Sequence, residues 1–219
     1  MLVDPDGRSA KGANHIIVKE TADGKYEVVG GVADKDRGIY LDDGKGGKGK
    51  RVGTMKTTHS FFDQNNDPVN GAILDPKSRE GQDFVNRVIK ENPSLFYYMI
   101  NATNGEDYDF KSENVNPELS RIERQKLFYR GSVDVNGDFG SARDFGNYAA
   151  GLVAARTGLS WQDARYGFDT YQGFKDDGAV LIPTNFIPAI SISPKREATT
   201  TIKAQLAGYR TGIRMFKKR

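Results

Sequence analysis

The sequence predicts an α+β protein: a small N-terminal antiparallel β segment followed by a mainly α-helical body. Three observations carry that expectation. Residues 15–62 hold β-branched and aromatic runs broken by Gly- and Asp-rich punctuation. From residue 81 onward, apolar residues recur at spacings of three and four. No Ser/Pro-rich linker separates the two parts.

The β segment reads as "HIIVKE", "KYEVVGGV", "GIYLDD" and "RVGTMKTTHSFF". The first two runs flank "TADG", a hairpin signal. Residues 63–80 carry turn chemistry, with one short strand expected at Ala72–Leu74. Ahead of the segment, Asp4-Pro5-Asp6-Gly7 forms a turn signature with no element before it. The chain thus divides into a leader (1–14), a β-rich segment (15–80) and a helical body (81–219).

In the body, "GQDFVNRVIKENP" predicts a helix with Phe84, Val85, Val88 and Ile89 on one face and Pro93 as its stop. "SLFYYMINAT" fits a helix or a buried strand, and "YDFK" a strand. "NPELSRIERQKLFY" predicts a helix with Pro117 near its first turn. "SARDFGNYAAGLVAARTGLS" predicts a helix of small and apolar residues stopped near Gly158, and Ser160 caps the next one. "VLIPTNFIPAISISP" reads as an ordered loop or edge strand. The end is an amphipathic helix with Ile202, Leu206, Tyr209, Ile213 and Phe216 on its apolar face. Arg196, Lys203, Arg210 and Lys217 form a separate basic row.

Composition narrows the chemistry. The 219 residues include no cysteine and two histidines, so disulfides, thiolate ligands, Cys nucleophiles and His-rich metal sites are excluded. No metal and no cofactor is expected. No apolar run reaches the length of a membrane span, and no signal peptide is expected. The net charge is only +3, yet residues 195–219 hold eight basic residues against one acid, Glu197. Such a tail suits an anionic partner or a solvated helix face.

Several motifs fail on inspection. "GKGGKGKR" approaches a phosphate-binding loop, but Arg51 replaces the Ser/Thr and a strand follows, so a solvated hairpin turn is expected. "DVNGDFGS" alternates oxygen ligands like a calcium loop, but lacks the Gly and the terminal Glu, so a turn is expected. His59 reads as structural, and His15 has no evident role. The stronger constellation is "YDFK" with "RDFGNYAAG". On a strand, Asp109 and Lys111 share a face, and at a helix start so do Asp144 and Asn147. Gly146 and Gly151 permit close approach. With Arg143 and Arg165 these residues could hold a phosphodiester and move a proton. They could equally form an ion-pair network with Asp144 as a helix cap.

Two resemblances give this constellation a context. "VDPDGR" resembles the motif that closes the core of Rhs/YD-repeat proteins, after which a variable toxin follows. "YDFK" with "RDFGNYAAGLVAARTGLSWQDARYGFDTYQ" resembles the bacterial polymorphic toxin type 44 family, at Asp109, Lys111, Asp144, Phe145, Gly146, Asn147, Gly151, Gly158 and Gln172. The lead-in "NGEDYDFK" departs from the family's pattern by carrying one Gly rather than two. The β-rich stretch is similar to the pre-toxin segment of Rhs-type proteins of Bacteroidetes.

The resemblance implies a secreted antibacterial effector that acts in a rival cell's cytoplasm as a metal-independent ribonuclease. Lys111 and Arg165 would stabilise phosphate charge, Asp109 or Asp144 would act as base, and Asn147 would orient a group. Arg143 and Gln172 would contact substrate, while Lys203 and Arg210 on the basic helix would track the RNA backbone. The implied partners are RNA, the Rhs core of the full-length protein and an acidic cognate immunity protein. Two rivals stand beside this expectation. One is a peptidoglycan hydrolase using Asp109 and Asp144 as a carboxylate pair. The other is a non-catalytic binding module whose basic helix meets a membrane or partner.

Overall fold

A computed structural model describes residues 14–34, 36–177, 180–182, 189–191 and 194–216. The Asp-Pro-Asp-Gly leader and most of the proline-rich loop lie outside them; of that loop, strands β8 (Val180–Ile182) and β9 (Ala189–Ser191) pair as a hairpin.

The β-rich segment forms β1 (Asn14–Glu20), β2 (Tyr26–Ala33), β3 (Gly38–Asp42), β4 (Lys48–Thr54) and β5 (Ile73–Leu74). Strands β6 (Gly131–Val133) and β7 (Phe139–Ser141) come from the body and complete one seven-stranded sheet, in the order β4-β3-β1-β2-β5-β6-β7. Two of its pairings are parallel: β1 with β3, and β5 with β6. The expected antiparallel β segment followed by a mainly helical body is therefore corrected to an α/β fold with a mixed sheet. The physical reason lies in the connections. Helices α1 (Glu80–Glu91), α2 (Leu95–Asn101) and α3 (Arg121–Phe128) form the long crossover from β5 to β6 that a parallel pair requires. The β1/β3 register sets Ile16 against Ile39 and Val18 against Leu41, so their apolar faces coincide.

The sheet also curls until its two edges meet. Met55, just after β4, bridges Phe139 of β7, and the Lys56 amide donates to the Phe139 carbonyl at 2.7 Å. Ile16, Val18, Val28, Ile39, Met55, Phe61 and Phe139 fill the space inside. A second core lies among the helices and the Asp109 turn, built from Phe84, Val88, Tyr98, Phe110, Phe145 and Phe168.

Local signals set the helix starts. Ser94 caps α2, so "SLFYYMINAT" is a helix, with the Tyr97 amide on its hydroxyl at 3.2 Å. Ser120 and Glu123 form a reciprocal capping box for α3, which leaves Pro117 ahead of the helix rather than in its first turn. Helix α4 (Ala142–Arg156) is capped by Ser141, whose hydroxyl accepts from the Asp144 amide at 3.1 Å. Asp144 is thus inside the helix and is not its cap. "YDFK" is a turn, not a strand: the Ser112 amide donates to the Asp109 carbonyl at 2.8 Å. Arg130 fixes that turn by donating to the carbonyls of Lys111 and Phe110 at 3.0 and 2.9 Å.

Helices α5 (Trp161–Asp177) and α6 (Thr199–Phe216) finish the body. Helix α6 does not bury the expected apolar stripe. Its buried face is Thr200, Thr201, Ala204, Gln205, Gly208 and Gly212, while Ile202, Leu206 and Ile213 stay half-exposed. The small residues let two backbones touch. A Cβ on Gly151 of α4 would strike the Gln205 carbonyl, and one on Gly208 would strike the Tyr148 carbonyl. Arg143 reaches Thr201, Tyr148 meets Gly208 and Ala155 meets Gly212, so the two helices run parallel.

Gly208→Ala should therefore lower stability by about 1–3 kcal/mol or more, since backbone must move to admit the methyl. Gly167→Ala is the control. It lies in α5 with nothing within 4 Å of its added Cβ, and should stabilise by about 0.5–1 kcal/mol. Thermal melting reads both, at roughly 2–4 °C per kcal/mol for a chain of this size.

Candidate functional site

The N-terminal half of α4, the Asp109 turn, α5 and the start of α6 surround a cleft of about 220 Å³. The turn delivers Asp109 and Lys111. One Asp109 oxygen accepts from the Lys111 ammonium at 2.6 Å, and the other accepts from the Gly105 amide at 3.0 Å. Gly105 sits at φ 79°, a conformation that aims its amide inward at little cost. Asp109 is buried, whereas the Lys111 side chain is 34% exposed and lines the cleft. Asp109 therefore orients Lys111 rather than meeting the open space with a spare oxygen.

Helix α4 adds Arg143 and Asn147 to the wall. Arg143 donates to the Tyr129 hydroxyl and to Thr201 Oγ1, the latter at 2.8 Å. Among the described residues no hydrogen bond reaches the Asn147 side chain. Gln172 of α5 also lines the cleft and donates to Asp176 at 2.9 Å. Tyr171 stands beside it, and burial raises its phenol pKa. Thus Asp109, Lys111, Arg143, Asn147 and Gln172 all line one cleft.

The remaining sequence candidates sit elsewhere. Arg165 lies behind the wall, where it donates to Glu197 at 2.9 Å and also to Asp169 and Gln205. It positions Glu197 and Gln205, which do line the cleft. Asp144 faces away from the cleft into the 57–60 turn. Its Oδ2 accepts from Thr57 at 2.9 Å and Ser60 at 2.6 Å, and burial raises its carboxyl above the usual range. Residues three apart on a helix are rotated by about a sixth of a turn, enough here to send Asp144 and Asn147 to different neighbours. Lys203 points at the same turn, 3.5 Å from Thr58 Oγ1, and burial lowers its pKa. Arg210 is exposed and away from the cleft.

The rejected motifs have plain structural roles. The Asp134 carboxylate binds Lys56 at 2.6 Å and the amides of Asn136 and Asp138, closing a hairpin turn. The Gly44–Gly47 amides are held by Asp42 and Asp43 in another turn. His59 is buried; burial, with the Lys203 ammonium nearby, pushes it down to about 4. Among the described residues no three His, Asp or Glu side chains gather where they could share a metal ion. Nor is any helix there long and apolar enough to cross a membrane.

Glu197, Thr201 and Gln205 are cleft residues that motif reading missed. One signal for Glu197 was present: it is the single acid within a strongly basic terminal stretch. It earns its place by binding, for its Oε2 accepts from both Arg165 and Gln205 at 2.9 Å. Among the described residues nothing donates to its Oε1. No protein-family model, curated protein or solved structure matches this chain.

Two titrations follow. The native state holds the Asp144 proton to higher pH than the unfolded chain does, so this group favours folding less as pH rises above the ordinary carboxylate range. Asp144→Asn keeps an acceptor for both hydroxyls and cannot ionise. Its urea midpoint should gain on wild type from acid to neutral pH. His59 has the opposite sign: stability is lost as pH falls from about 6.5 to about 4, because the unfolded imidazole takes up a proton first. Imidazole NMR should place its midpoint near 4, and a midpoint at the ordinary value would contradict its burial.

Proposed function

We propose that the chain is the toxin region of an Rhs-type effector and that its cleft cleaves RNA by a metal-independent route. The observation that carries this reading is the meeting of Lys111 and Arg143 in one cleft, beside a side-chain amide, Asn147, with no hydrogen-bond partner among the described residues. Two fixed cations and an unspent hydrogen-bonding group suit a phosphodiester, whose charge grows on the phosphoryl oxygens as it is cleaved.

The roles differ in part from those that the motifs implied. Lys111 and Arg143, not Arg165, face the phosphate. Asp109 holds Lys111 in place. The base is Glu197, whose Oε1 is the cleft carboxylate oxygen to which no described residue donates. It takes the proton of the ribose 2′-hydroxyl as that oxygen attacks phosphorus. The 5′ oxygen departs with a proton from Lys111. Asn147 and Gln172 hold the substrate in register. The effector acts in the cytoplasm of a rival cell, and an acidic cognate immunity protein covers this face. A carboxylate pair of Asp109 and Asp144 is unsuited to glycan hydrolysis, because Asp144 is enclosed by Thr57 and Ser60.

Expression inside bacteria should stop growth and degrade total RNA. Lys111→Ala should lower cleavage by about 10²–10³-fold, as for loss of one donor to a developing oxyanion, measured at a temperature where the variant is still folded. Killing only after export to the periplasm, with intact RNA, would refute the nuclease reading.

A further inference from the structure

We infer that the cleft takes a polynucleotide strand rather than a mononucleotide, with Arg196 holding the phosphate next to the one at Lys111 and Arg143. The inference rests on the nuclease reading above and deepens it.

A second hollow of about 250 Å³ opens beside the first. The two share Arg143, Gln172, Glu197 and Thr201 in their linings, so they lie side by side and a strand that spans both passes Arg143. Arg143 stands at the junction. The far end is lined by Gln64, Lys195 and Arg196. A groove with a cation at each end and one between matches a chain of phosphates, because a single phosphate fills only one station.

The charge balance singles out Arg196. Two carboxylates line the second hollow, and both are already engaged. Asp176 accepts from Gln172 at 2.9 Å and pairs with Lys195 at 3.0 Å. Glu197 accepts from Arg165 and Gln205. Arg196 is exposed, and among the described residues no carboxylate pairs with it. Its backbone is nevertheless fixed. The Lys195 amide donates to the Asp169 carbonyl at 2.8 Å, and the Glu197 amide to Asp169 Oδ1 at 3.1 Å. Arg196 is thus a cation presented from a pinned segment, with less ordering left to do when an anion arrives. Helices α4 and α6 both begin at this end, and their positive termini add to the same potential.

The test uses the purified full chain and 2′-O-methyl oligonucleotides, which lack the attacking hydroxyl. One probe carries a single internucleotide phosphate and the other carries three. Fluorescence anisotropy gives their affinities over a range of salt. Wild type should bind the longer probe at least about tenfold more tightly, with a steeper salt dependence, since each phosphate contact releases counterions. Arg196→Ala should remove most of that length advantage and reduce the salt slope by about one contact, leaving the short probe unaffected. Equal affinity for both probes in wild type, or an unchanged length advantage in Arg196→Ala, overturns the inference. If length is immaterial but Lys111→Ala abolishes binding of the short probe, the nuclease reading survives alone. If wild type binds neither probe, both fall.

Discussion

Backbone contact between α4 and α6 is the constraint on which the rest of the structure depends. Gly151 and Gly208 each lie where a Cβ would meet the other helix's carbonyl. At such separation the helices cannot rotate or slide without collision, because packed interiors tolerate little change of volume. That fixes the register that sets Arg143 against Thr201 and brings Gln205 to the cleft wall. It also explains why the bulky residues of α6 flank the contact. Tyr209 and Phe216 pack against the helical core from its side, while the small stripe takes the centre.

Buried polar ties then lock the helical layer to the curled sheet. Lys56 follows the edge strand β4, and its ammonium reaches Asp134 in the turn between β6 and β7 at 2.6 Å, under the Tyr148 ring at 4.2 Å. Both partners are nearly enclosed, so the pair is costly to desolvate and more costly to break singly. Asp144 does the same from α4, using two hydroxyls of the turn that follows Lys56. These ties add more to the uniqueness of the arrangement than to its total stability, which apolar burial in the two cores supplies.

Electrostatics separates structural charge from available charge. Arg165, Lys56 and Arg130 are consumed by carboxylates, carbonyls and ring faces inside the molecule. Lys111 and Arg143 are only partly consumed, and what remains of their hydrogen-bonding capacity faces the cleft. A sequence motif cannot make that distinction, because Arg143 and Arg165 look equivalent as letters. They differ through their neighbours, and those neighbours arrive from distant parts of the chain.

The sequence by itself determined most helices and much of the turn chemistry. It also brought Asp109, Lys111, Arg143, Asn147 and Gln172 under one suspicion, and all five reach the cleft. These features are local: a capping serine, an apolar spacing or a glycine turn acts within a few residues. Only the tertiary structure decided the mixed sheet, in which β6 joins β5 across three intervening helices. Only it turned α6 onto its small-residue face, sent Asp144 and Arg165 out of the cleft and brought Glu197 in. Each of those outcomes compares contacts between segments far apart in the chain. The strength of such contacts depends on which surfaces finally meet, and local spacing carries no record of that.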